Sequence, residues 1–313
     1  MRIADESGAA PQLDGEHRYA RFNPALGVTF NPTRALTAFA SWSEGMRLPT
    51  PIELTCADPG APCRLPNSFV SDPPLARIVA RSVELGARGG PEAGFGWSAA
   101  AYRTDLHDDL AFVSSGGAGT TAGFFRDVGG TRRQGLELAA AVRHARGALA
   151  LGYSFLDATY RAGFTSPSAA NSSADAAGDI AVRPGDRLPG VPRHTFKARV
   201  DLAAGRGFAG GLALRYSSPL FARGDENNRD RNGPLPGFVT VALDARYATS
   251  ATLEIHARVD NLLDRRYANF GVLGRNVFTG PGGSFDSANA RAEQFRGVGA
   301  PRGAWIGIRY RRP

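Results

Sequence analysis

The sequence has almost no lysine, only two cysteines and two methionines, and no long hydrophobic run. No apolar stretch approaches the roughly 20 residues a membrane helix requires, which excludes a helical membrane protein. Of 37 basic residues only Lys197 is lysine, and against 29 acidic residues they leave a net charge of +8. That charge has no block: the densest clusters are the pairs Arg132-Arg133, Arg265-Arg266 and Arg311-Arg312. Nucleic-acid proteins concentrate positive charge on one face or arm, so dispersed arginine points to a polar lumen or rim, and no nucleic-acid partner is expected.

Other absences narrow the chemistry. Cys56 and Cys63 bracket Ala-Asp-Pro-Gly-Ala-Pro with no further Cys or His beside them, which excludes a zinc site, and a redox pair would sit closer. A loop-stapling disulfide between Cys56 and Cys63 is the reading, with two unpaired buried thiols as the alternative. A disulfide implies an oxidising, extracytoplasmic setting. Sequence signatures of catalysis are missing: no Gly-x-Ser-x-Gly elbow, no His-Glu-x-x-His and no phosphate-binding loop ending in Lys. His17, His107, His144, His194 and His256 are scattered singly, and Asp105, Asp108 and Asp109 read as a solvated strand end. No catalytic residue, cofactor or metal is therefore expected. The start, Met1-Arg2-Ile3-Ala4-Asp5-Glu6, lacks the apolar core of a signal peptide; for an exported protein, the true start is expected upstream or the sequence is a piece.

What is present is short-period alternation. In 251–260, Leu253, Ile255, Ala257 and Val259 fall on one face, opposite Glu254, His256, Arg258 and Asp260. In 238–247, Val239, Val241, Leu243, Ala245 and Tyr247 oppose Thr240, Asp244 and Arg246. In 194–202, Phe196, Ala198, Val200 and Leu202 oppose Thr195, Lys197, Arg199 and Asp201. A strict period of two over nine to eleven residues is the length that crosses a bilayer as a tilted strand.

The pattern predicts eleven strands at 19–31, 34–46, 76–89, 94–107, 120–145, 147–160, 191–204, 207–217, 236–248, 251–264 and 300–311. Short turns are expected at Asn31-Pro32-Thr33, Gly89 to Glu92, Arg146-Gly147, Gly205 to Gly207 and Thr249-Ser250. Long loops are expected at 47–75, 161–190, 218–235 and 268–299, the Ala/Ser/Asn-rich 161–190 being mobile. Turns on one side and loops on the other distinguish an outer-membrane barrel from a soluble sandwich. Phe30, Trp42, Trp97, Tyr216, Tyr247 and Tyr310 near strand ends fit interfacial girdles. Eleven strands in a meander leave the first and last running the same way, so they cannot close antiparallel. An open edge is not tolerated in lipid, and further strands are expected.

Four stretches carry a family resemblance. Ala40-Ser41-Trp42-Ser43-Glu44-Gly45-Met46-Arg47-Leu48-Pro49-Thr50-Pro51 resembles the strand-and-loop signature of TonB-dependent outer-membrane receptors. Glu84-Leu85-Gly86-Ala87-Arg88-Gly89 is similar to that family's returning strand, and Gly129-Gly130-Thr131-Arg132-Arg133-Gln134-Gly135-Leu136-Glu137 to another. Val259-Asp260-Asn261-Leu262-Leu263-Asp264-Arg265-Arg266-Tyr267 is similar to its V-x-N-L-F-D-(K/R)-x-Y segment. Glu84 and Glu137 fall on lumen positions, where pairing with arginine is expected.

The resemblance implies an all-β, antiparallel transmembrane β-barrel, with these eleven strands forming the C-terminal half of a barrel of about 22. Residues 1–18 would be a polar N-terminal segment belonging to a surface loop, and 19–313 the barrel portion. It implies uptake of a scarce nutrient, such as an iron-siderophore or other metal chelate, across the outer membrane of a Gram-negative bacterium. The partners implied are outer-membrane lipid, the small chelate and the TonB system, reached through an N-terminal region and plug not visible here. The family's terminal aromatic is displaced to Tyr310 by Arg311-Arg312-Pro313. Rival readings are an autotransporter-type translocator, which needs an even strand count and a pore helix, an outer-membrane lipase, and a truncated receptor remnant that transports nothing.

Overall fold

The computed structural model describes residues 2–4, 6, 8, 14–58, 60, 63, 75–90, 94–114 and 123–311. Eleven strands form one antiparallel sheet: β1 (Ala25–Thr33), β2 (Leu36–Arg47), β3 (Ile78–Gly89), β4 (Phe95–His107), β5 (Thr131–His144), β6 (Gly147–Tyr160), β7 (His194–Gly205), β8 (Phe208–Ser217), β9 (Phe238–Ala248), β10 (Leu253–Asp260) and β11 (Gly303–Tyr310). Every strand pairs with its chain neighbours, so the wall is an uninterrupted meander. Among the described residues no helix is long and apolar enough to cross a membrane.

Directly paired residues share a face, so the register shows how the faces divide. Val28, Ala40, Leu85, Ala101, Leu136 and Phe155 form one transverse row across six strands. Phe95, Val142, Leu149, Val200, Leu212, Leu243, Val259 and Ala304 form another across β4 to β11. On the opposite face, Arg88, Ser98, Ala139, Gly152, Lys197, Arg215 and Thr240 line up. Arg199 on that face ion-pairs with Asp201 and Asp244. One face is thus continuously apolar and the other carries the charge, the division a wall between lipid and an aqueous lumen requires. All six aromatics assigned to girdles fall on the apolar face.

Short and long connections alternate strictly. The β7–β8 hairpin turns on Arg206 (φ 50°) and Gly207 (φ 81°), the paired positive φ values of a primed turn that matches strand twist. Edge strands β1 and β11 run the same way, and among the described residues they do not pair with each other, so the sheet is open.

Several boundaries differ from the sequence expectation, and the first strand begins at Ala25, not at 19. The first turn lies at Arg34-Ala35, not at Asn31-Pro32-Thr33; Pro32 sits inside β1, where the register shifts between Phe30 and Thr33. A proline is tolerated at such a bulge because the ladder is already interrupted there. The strand expected over 120–145 is two elements. Gly129 (φ 75°) breaks it, β5 begins at Thr131, and Gly123–Asp127 pairs instead with Leu110–Ser114 as a loop hairpin; 120–122 lie outside the described residues. The tenth strand ends at Asp260, not 264, because Asn261 (φ 48°) turns the chain and bonds its amide to the Arg265 and Ala300 carbonyls. Glu84 and Glu137 do not meet the expected arginines: among the described ion pairs neither takes part.

Candidate functional site: the loop layer

Five long connections leave the same end of the wall: 48–77, 108–130, 161–193, 218–237 and 261–302. The second of these was hidden by reading 120–145 as strand. Residue by residue they dock on one another in chain order.

The first begins with the motif that carries the resemblance. Thr50 caps the short helix α1 (Pro51–Thr55) in a capping box with Glu53, and Arg47 at the top of β2 donates to Glu53 Oε2 at 2.6 Å. This lets the chain leave the strand with its first free N–H groups satisfied. Burial opposes it, but the bonds from Arg47 and Thr50 hold the Glu53 carboxyl below its ordinary value. Cys56 and Cys63 are both buried, with Cα atoms 5.7 Å apart. Cys63 exchanges both backbone bonds with Gly123, and Phe125 N donates to Cys56 O at 2.6 Å, fastening this loop to the next.

The second loop joins the third through Arg126, whose Nη1 donates to Thr165 O at 3.1 Å, and through an apolar cluster of Val128, Tyr160, Ile180 and Val182. The third and fourth share a polar knot. Asn171 Nδ2 reaches Gly224 O (2.9 Å), Asp225 Oδ1 (3.2 Å) and Asn227 Oδ1 (3.3 Å), while Ser172 N donates to Asp230 Oδ2 at 2.8 Å. Asp225 Oδ1 also accepts the N–H groups of Arg229 and Asp230. The fourth and fifth share a second cluster of Leu220, Ala222, Leu235 and Leu273, a parallel bridge between Arg223 and Val272, and Gln294 Nε2 donating to Gly233 O at 2.9 Å. Gly224 (φ 89°) sits where three loops meet; a Cβ there would stand 3.0 Å from Leu273 and 3.1 Å from Ser168 Oγ.

Loop 161–190 is therefore built, not mobile: it holds a hairpin, Phe164–Pro167 with Asp179–Val182, and the fully buried Ile180. Its small polar residues, which by composition look disordered, bond backbone groups two to four positions away and so order the chain. Sequence reasoning missed Asn171, Ser172 and Ser173; the spacing Asp225-x-Asn227-x-x-Asp230-x-Asn232-Gly233 was the available signal.

Electrostatically the knot is split. Burial pushes the Asp225 carboxyl up, against the N–H bonds from Asp230 and Arg229, and burial likewise pushes Glu226 up. Asp230, despite burial, is held below its ordinary value by the donors of Ser172 and Asn232. The acids point inward while Arg223, Arg229 and Arg231 are exposed, so the outward surface of this loop is cationic. Asp105 and Asp109 are engaged with Arg132 and with Thr131 and Arg133. His194 Nδ1 lies 2.9 Å from Tyr153 OH. Among the described residues no three His, Cys, Asp or Glu side chains converge.

A family model described as TonB dependent receptor-like, beta-barrel matches residues 4–262. Among solved structures, the siderophore receptor PiuA from Acinetobacter baumannii superposes with a TM-score of 0.63 at 16% identity, covering 91% of this chain and 35% of that one. The ferric yersiniabactin uptake receptor FyuA from Yersinia pestis gives 0.59 at 17% identity, covering 91% and 36%. The copper transporter OprC gives 0.60 at 15% identity, covering 91% and 38%. The chain thus spans little more than a third of the length of the solved structures it matches.

Proposed function

The chain belongs to the TonB-dependent receptor β-barrel family, transport receptors of the Gram-negative outer membrane, and on that premise we propose that its loop layer captures an iron-siderophore or other anionic metal chelate for uptake. The observation that carries this reading is the construction of the layer: five loops on one side of the wall are locked together, and the fourth holds Asp225, Glu226 and Asp230 inward with Arg223, Arg229 and Arg231 outward. A preordered surface loses little conformational freedom on binding, and guanidinium groups fit oxygen-rich anions.

Two parts of the proposal concern the rest of the receptor. The wall is part of a wider barrel of about 22 strands, supported by the parity of eleven strands and by both edges lying open. Coupling to the TonB system would run through residues outside this sequence. Within it, 19–313 is the barrel portion and 1–18 a surface-loop segment. The latter is supported by Tyr19 OH donating to Leu75 O at 3.0 Å and Arg21 pairing with Glu44, both at the long-loop end. The Cys56–Cys63 disulfide belongs to the proposal as a staple of the first loop; a mass shift of that peptide on reduction tests it.

The test of capture is equilibrium binding of a ferric tris-catecholate, a ferric hydroxamate, haemin and a copper chelate to outer-membrane vesicles carrying the chain. One chelate is expected to bind above vesicles lacking it, and to weaken in the Arg223→Gln, Arg229→Gln, Arg231→Gln variant. Binding of none would overturn the reading.

A further inference from the structure

The apolar face does not stay apolar up to the loops. From the row of Trp42 upward the outward positions turn charged, from the segment entering β1 to the residue preceding β7: Trp42 and Val83 share a row with Arg103, Gln134 and Asp157, and the next row holds Glu44, Arg81, Asp105 and Arg132. Arg21 and Arg81 both pair with Glu44, Arg81 Nε at 2.7 Å from Oε1. Arg103 and Arg132 both pair with Asp105, at 2.8 and 2.6 Å. Arg193 pairs with Asp157 at 2.7 Å and lies over the Phe155 ring. The register places these positions on the lipid side: Glu44 pairs across with Arg81, Arg103 with Gln134, and Gln134 with Asp157, in line with the apolar rows below.

Two features separate this belt from neutral surface pairing. Five guanidinium groups face three carboxylates, an excess of two positive charges. The carboxylates are also tucked in, their side chains 15, 28 and 16% exposed, while Arg81, Arg103 and Arg193 stand out at 55, 50 and 43%. Each acid fixes the arginines that share it, and the side chains of Arg81, Arg103 and Arg193 remain partly open to the surroundings, while Arg21 and Arg193 each bury an Nε that has no partner. The belt begins in the row of Trp42 and at 3.4 Å per residue reaches about 7 Å above it, and seven strands at 4.8 Å make it roughly 29 Å wide. Trp marks the level where acyl chains give way to headgroups.

We propose that this belt binds the phosphate groups of the outer-leaflet lipid headgroups, anchoring the wall on its long-loop side. The chemistry is that of guanidinium on phosphate, whose planar donor fork matches two phosphate oxygens at once. This rests on the apolar face meeting lipid and is independent of what the loops capture, so chelate binding can fail while it holds.

The test compares headgroup retention by the full chain extracted in mild detergent, with native lipopolysaccharide and its chemically dephosphorylated form as probes. Arg81→Gln, Arg103→Gln and Arg193→Gln together are expected to weaken retention of the phosphorylated probe by about fivefold per arginine. The single variant Arg103→Gln serves if the triple fails to insert, as judged by heat-modifiable mobility. Glu44→Gln, which raises the positive excess, should tighten retention, and the lumen pair Lys197→Gln, Arg215→Gln should leave it unchanged. Equal retention of both probes, or unchanged retention in Arg103→Gln and the triple variant alike, overturns the proposal.

Discussion

The wall and the loop layer are held together by different solvents. In the wall, residues such as Leu212, Leu243, Ile306 and Ile308 remain 43–80% exposed to their surroundings, and hydrogen bonding between strands plus lipid contact does the stabilising. In the loop layer the chain makes its own interior: Ile180, Leu235, Leu54, Cys56 and Cys63 have no exposure at all. A membrane strand needs no protein core on its lipid face, whereas a water-facing loop of this length holds one shape only by burying apolar groups and satisfying its backbone. Rigidity therefore has two independent sources, and each can be broken without the other.

The largest expected effect breaks the loop layer alone. Ile180→Ala leaves a cavity in the cluster with Val128, Tyr160 and Val182 and is expected to cost about 2–5 kcal/mol of local stability. Protease nicking within 161–193 should appear while the wall keeps its heat-modifiable mobility. The second effect breaks the wall by face. Leu212→Arg on the lipid side should cost about 2–4 kcal/mol and lower the amount inserted, while Ala213→Arg on the lumen side should cost little. Similar losses at both positions would erase the distinction between faces.

Much of this comparison was legible in the sequence. All eleven wall strands overlap the segments that the two-residue period marks, with the first and fifth starting later and the tenth ending earlier, because that period records which side each residue faces. The loops were not legible to the same depth. The 120–130 part of the second loop reads as strand in the sequence because Phe124, Phe125 and their neighbours are good strand formers, and 123–127 does form one, paired within the loop. Asn171 and Asp225 lie 54 positions apart, and a contact made by two short polar side chains leaves no periodic trace.

Smaller effects sharpen the loop side. Asn171→Ala strips donors from buried Asp225 and Gly224 and is expected to cost about 1–3 kcal/mol, read as faster amide exchange in 218–237. The smallest concerns pH. Asp225 and Glu226 have folded-state values raised by burial, so their stabilising contribution is full below the ordinary carboxylate range and declines as pH rises through the raised values. Amide exchange in 218–237, corrected for its intrinsic pH dependence, should therefore show protection falling from mildly acidic to neutral pH. Asp225→Asn should flatten that slope; an unchanged slope would remove Asp225 as its source.

The most direct test of the central claim is a scan of single cysteines along β8, Phe208 to Ser217, in a Cys56→Ser, Cys63→Ser background, in outer membranes. Labelling by a membrane-impermeant maleimide after the lumen is opened to solvent should occur at Ala209, Gly211, Ala213 and Arg215. A fluorophore quenched by brominated lipid should report Gly210, Leu212 and Leu214 instead. Strict alternation is the predicted result; uniform aqueous labelling of both sets would contradict a wall that divides lipid from water.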